Sequence, residues 1–115
     1  MNKQRRNVLH AVLDSLAILS NPIEKTEAIT ILQKAQSDVQ KCADEEEEAL
    51  DNRPESLQWS AVNDAMTENV SDLNDASGEL EVLIDTCQSA DRFSYKSVKD
   101  DVIKTVNTIK QAIHR

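Results

Sequence analysis

The chain has 115 residues, a length that suits one domain with a modest core. One Gly, two Pro and three aromatics, set among plentiful Ala, Leu, Glu, Lys and Gln, exclude a sheet protein, and 39% apolar residues at regular spacing excludes global disorder. The formal charge of −8 is concentrated in residues 42–90, which carry 14 acidic side chains and one basic one, Arg53; such a block disfavours direct contact with nucleic acid.

The first helix is predicted from Lys3 to Leu19, because Leu9, Val12, Leu13, Leu16 and Leu19 recur at three- and four-residue steps on one face. Asn21 is expected to cap the second helix, with Pro22 at its first position and Glu24 three residues after the cap. That helix runs to about Asp51 on a stripe of Ala28, Ile31, Leu32, Ala35, Val39, Cys42, Ala43 and Ala49, and Asp51 to Ser56, with Pro54, breaks it. The third helix starts between Ser56 and Ser60 and reaches about Ser89. Its stripe is Trp59, Val62, Met66, Leu73, Ala76, Leu80, Leu83 and Cys87, with Asn69 as an interruption and Gly78 as a candidate kink or close contact. The fourth begins near Ser94 or Ser97, where Ser97-x-x-Asp100 loosely resembles a capping box, and carries Val98, Val102, Val106, Ile109 and Ile113. Two long helices flanked by two shorter ones predict an all-α bundle of about four helices, built on a long antiparallel hairpin, as a single domain over residues 1–115.

No apolar run approaches the roughly 18 residues of a membrane span, and the first apolar stretch, broken by His10, Asp14 and Ser15, is a poor secretory signal. A cytoplasmic setting follows as the expectation, with Cys42 and Cys87 as free thiols that pack like small apolar residues. His10 and His114 sit in no ligand-spaced motif, and one Gly leaves no phosphate loop, so no cofactor is expected. Trp59, Phe93 and Tyr95 flank the two later turns; such residues plug bundle ends or form exposed hot spots for a partner.

The loudest local feature is Asp44-Glu45-Glu46-Glu47-Glu48, followed by Asp51. It lies near a helix C-terminus, where the macrodipole disfavours negative charge. A hairpin turning near Pro54 brings Glu45 and Glu48 opposite the region from Asp64 to Glu68, which allows a carboxylate cluster for a divalent cation. Glu45-x-x-Glu48 resembles the first metal motif of the all-α nucleoside triphosphate pyrophosphatases of the MazG type. The second motif does not match, since Ser71 follows Glu68 at the third position and Asp72 falls one residue late.

The segment from Asp44 to Gln58, with the opening Met1-Asn2-Lys3-Gln4-Arg5-Arg6, resembles small helical proteins encoded by bacteriophages and mobile elements. The match covers the start and roughly residues 44–85. The resemblance implies a phage or mobile-element context and carries no activity of its own; that context raises one class of function, namely binding and blocking of host machinery, including defence systems, through an acidic helical surface that imitates nucleic acid. The partner is then a host protein with a basic surface. The candidate contact residues are Asp44, Glu45, Glu46, Glu47, Glu48, Asp51, Glu55, Trp59, Asp64, Glu68, Asp72 and Asp75. The alternatives are an oligomerising structural component, using hairpin stripe left uncovered by the short helices, and the metal-dependent pyrophosphatase.

Overall fold

A computed structural model describes residues 1–57 and 59–115; Gln58, the last residue of the acidic segment quoted above, lies outside the described residues. The fold is all-α. Its four helices are α1 (Lys3–Ala17), α2 (Lys25–Asp51), α3 (Ala61–Ser89) and α4 (Tyr95–His114), with single 3₁₀ turns at Ile18–Ser20 and Glu55–Leu57. At 1.5 Å per residue α2 and α3 are about 40 and 43 Å long, and they set the length of a molecule measuring 54 × 21 × 20 Å.

Helix direction follows from the side chains that cross between elements. Lys25, at the start of α2, donates to the carbonyls of Gln88 and Ala90 at the end of α3. Gln36 donates to Ser77 and Glu81, Ser77 to Gln40, and Gln40 to Asn74. The long hairpin is therefore antiparallel. Arg5, near the start of α1, reaches Glu46 near the end of α2, and Arg115, just past α4, reaches Glu68 and Asp72 in the first half of α3. α1 thus packs antiparallel to α2, α4 antiparallel to α3, and α1 meets α4. One apolar cluster draws on all four helices; Leu9, Leu16, Leu32, Leu73, Leu80 and Ile109 are among its most buried members. Cys42 and Cys87 are buried free thiols.

Three helix boundaries and one capping motif differ from expectation. α1 stops at Ala17, and its last apolar residue, Leu19, is buried from a 3₁₀ turn. Asn21 does not cap α2: its N–H closes that turn on Ile18, and α2 begins at Lys25 after an extended Glu24. The link through Pro22 lets Ile23 pack against the core, which a helix starting at Pro22 would redirect. α3 begins at Ala61 with the Ser60 side chain accepting from the Asn63 N–H. α4 begins at Tyr95, so Ser97 lies inside its first turn and the Ser97–Asp100 box is not formed.

Phe93 and Tyr95 pack against the core and close one end of the bundle. Trp59 and Val62 do not join the α3 stripe; both are exposed. α1 begins and α4 ends at the level of Glu46 and Asn69, so the hairpin continues past them with no helix to cover its tip. Gly78 lies within the continuous run of α3 and marks no close approach. A Cβ built there meets nothing within 4 Å and its φ is not positive. Gly78→Ala is therefore expected to raise stability by about 0.4–1 kcal/mol through lower unfolded-state entropy and better helix propensity; urea denaturation would read this as a higher midpoint with an unchanged slope.

Candidate protein-binding surface

Charge is sorted by layer. α1 holds three basic side chains and one acidic, α4 four basic and two acidic, while α3 holds seven acidic and none basic, and α2 eight acidic and three basic. Because α1 and α4 lie side by side against the hairpin, part of the acidic block is neutralised internally and part faces outward.

The internal part centres on Glu46, which is fully buried (0% exposed). Its Oε1 accepts from Arg5 Nη2 at 3.1 Å and its Oε2 from Asn69 Nδ2 at 3.0 Å, with the Met1 ammonium 3.5 Å away. Asn69 Oδ1 accepts in turn from Arg115 Nη1 at 3.2 Å. Arg115 also binds Asp72 at 2.7 Å and Glu68 at 3.0 Å. Farther along, Glu79 pairs with Lys104 at 3.7 Å and accepts from Thr105 at 2.8 Å. A single polar chain, Arg5–Glu46–Asn69–Arg115–Asp72, therefore joins all four helices. Its geometry uses both ends of the Asn69 amide, one donating and one accepting, which a carboxylate at 69 would not reproduce.

This corrects the expected contact set. Glu46 is sealed from any partner, because α1 lays Arg5 over it and α3 supplies Asn69. Glu68 and Asp72 lie on the hairpin surface, and both pair with Arg115. Asp44, Glu47, Glu48, Asp51, Glu55, Asp64 and Asp75 are exposed, and Glu45 is half-buried. Among the described residues none of these eight takes part in an ion pair. Asp44 accepts from the Gln40 amide at 2.9 Å, which leaves its charge unneutralised. The run reaches the C-terminus of α2, so the helix dipole adds to rather than offsets the negative potential there.

The tip between α2 and α3 carries apolar surface as well. Trp59 is 93% exposed, and Leu57 and Val62 are also exposed. Arg53, the basic residue of this segment, is half-buried and donates to Ser60 Oγ at 3.5 Å, so one cation stands among the more numerous carboxylates of the tip.

The carboxylate cluster for a cation is not assembled. Among the described residues no three His, Cys, Asp or Glu side chains gather so as to hold a metal ion. Glu45 and Glu48 fall on either side of the inward-pointing Glu46, which takes the position facing α3. Two open clefts of about 550 Å³ lie elsewhere. One is formed by the turns at Ser20–Glu24 and Phe93–Tyr95, the other by Leu13, Val102, Ile103 and Val106 between α1 and α4. The thiols are not activated: burial, with Glu45 and Asp38 nearby, pushes Cys42 up to about 11, and burial raises Cys87 against the opposing pull of Lys25. No helix is long and apolar enough to cross a membrane among the described residues.

The chain matches no protein-family model, no curated protein and no solved structure.

Proposed function

We propose that this protein is a non-catalytic binding module whose acidic hairpin engages a basic surface on another protein. In the phage or mobile-element setting that the opening and the acidic segment resemble, that partner is a cytoplasmic host protein which itself handles nucleic acid, and occupation of its basic groove blocks it. The observation that carries this reading is the separation of the carboxylates into two sets. Glu46 pairs with Arg5, Glu79 with Lys104, and Glu68 and Asp72 share Arg115, whereas Asp44, Glu47, Glu48, Asp51, Glu55, Asp64 and Asp75 are exposed without an ion-pair partner among the described residues. Charges that stabilise a fold find partners within it. A set left unmatched, beside a helix end that disfavours it, raises repulsion and is better accounted for by complementarity to something outside.

The test is retention of host proteins on the immobilised chain at low and high salt, for wild type and for a Glu47/Glu48/Asp51→Gln/Gln/Asn variant. Glu46 is kept, because its replacement would weaken the fold without discharging the surface. Wild type is expected to retain a basic nucleic-acid-handling protein at low salt and to lose it at high salt, while the variant loses it at both. Equal retention by the two proteins would count against the acidic surface as the contact.

A further inference from the structure

We infer that the hairpin tip is the anchor of this interface, with Trp59, flanked by Leu57 and Val62, inserting into an apolar socket that is rimmed by Lys and Arg on the partner protein. The inference rests on the reading of the acidic surface given above and adds to it a docking point and the chemistry of the site that receives it. Trp59 is the single tryptophan of the chain, and at 93% exposure it contributes almost nothing to the core. Leu57 and Val62 are the nearest exposed large apolar residues, two residues before it and three after it, whereas Val82 lies far along α3 and Ile18 and Ile103 lie on other elements. An exposed indole with two aliphatic neighbours, ringed by polar groups, has the composition of an interface centre with its rim.

The rim identifies the occupant. Glu47, Glu48, Asp51, Glu55 and Asp64 belong to the same tip, are exposed, and lack ion-pair partners among the described residues. A second copy docking tip to tip would set five carboxylates against five, which opposes the association that burying Trp59 would favour. A socket with cationic edges satisfies both the indole and its acidic surround.

Because Trp59 is the sole tryptophan, its emission reports on this site alone. Two synthetic peptides of equal length and charge serve as probes, one an amphipathic Lys/Leu helix, the other with Gln in place of Leu. The Lys/Leu peptide is expected to shift Trp59 emission to the blue and to bind at least about tenfold more tightly than the Lys/Gln peptide. Anisotropy of labelled peptides should show that preference vanish in Trp59→Ala, while Glu47/Glu48/Asp51→Gln/Gln/Asn weakens both peptides alike. Equal binding of the two peptides with unmoved Trp59 emission would overturn the tip as anchor and leave the acidic-surface reading standing. Failure of both peptides to bind at low salt would overturn the two together. A blue shift that grows with protein concentration alone, with a dimer in sedimentation, would replace the proposed partner by a second copy.

Discussion

Replacing Glu46 with Ala is expected to lower the unfolding free energy by about 3–5 kcal/mol, the usual cost of removing one member of a buried ion pair. The substitution deletes the acceptor for Arg5 and for the Asn69 amide at once. The Arg5 guanidinium, whose side chain is 11% exposed, would be left without its carboxylate beneath the start of α1. Asn69 would lose the acceptor for its donor end while remaining tied to Arg115, so the damage reaches α4 as well. Glu46→Gln keeps one hydrogen-bonding group but drops the charge, and should fall between wild type and Ala. Glu47→Ala, one residue along and exposed, should stay within about 0.5 kcal/mol of wild type. Chemical denaturation of the three variants checks this ordering. Equal, small effects at 46 and 47 would mean that Glu46 is not buried and paired.

Leu80→Ala should be the most damaging of the plain core truncations, at about 2–5 kcal/mol. Leu80 is fully buried in the second half of α3, in the cluster shared by all four helices. Deleting its three outer carbons removes contacts on several helices simultaneously, and a helix held on both sides cannot collapse into the gap. Against a total stability of roughly 5–15 kcal/mol for a domain of ordinary size, that is a large share. Val62→Ala, on the same helix but exposed at the tip, should cost little. Thermal unfolding followed by helical circular dichroism separates the two, with the midpoint of Leu80→Ala lower by roughly 10 °C or more.

The contrast between Leu80 and Val62 also marks how far the sequence could be read. Three–four spacing identified the buried face of α3 from Met66 to Cys87, because that spacing is a property of the helix itself. The same spacing extended back to Val62 and Trp59 failed, since periodicity says which side of a helix is apolar and nothing about how far its neighbours reach. The extent of cover depends on where α1 begins and α4 ends, which only the packing reveals. Glu46 was obscured in a different manner. Within four consecutive glutamates no residue stands out by type, yet Ala28, Leu32, Ala35, Val39 and Cys42 step by four and three, and the next step falls on Glu46. On α3 the sequence Met66, Leu73, Ala76, Leu80 skips Asn69 in the same way. Two polar interruptions in facing stripes of a hairpin were a legible signal for a buried hydrogen bond between them.

The ion pairs of Arg115 had no such signal. They join residues more than 40 positions apart, and the choice of Glu68 and Asp72 among the acids of α3 is made by the antiparallel alignment of α4. The expected start of α2 at Pro22 failed for a related reason. The capping pattern around Asn21 is sound locally, but burial of Ile23 against the core favours an extended link. The candidate carboxylates were named from the sequence as one set, and the fold divides that set into those paired within the bundle and those left outward without an ion-pair partner among the described residues.

The most direct test of that division is the association rate of the retained partner with wild type and with the Glu47/Glu48/Asp51→Gln/Gln/Asn variant, each at low and at high salt. Electrostatic steering by an unneutralised surface predicts a wild-type rate that falls by about tenfold or more as salt rises, and a variant rate that is slow and nearly flat. Identical, salt-insensitive rates for the two proteins would show that the outward carboxylates play no part in recognition and would contradict the account.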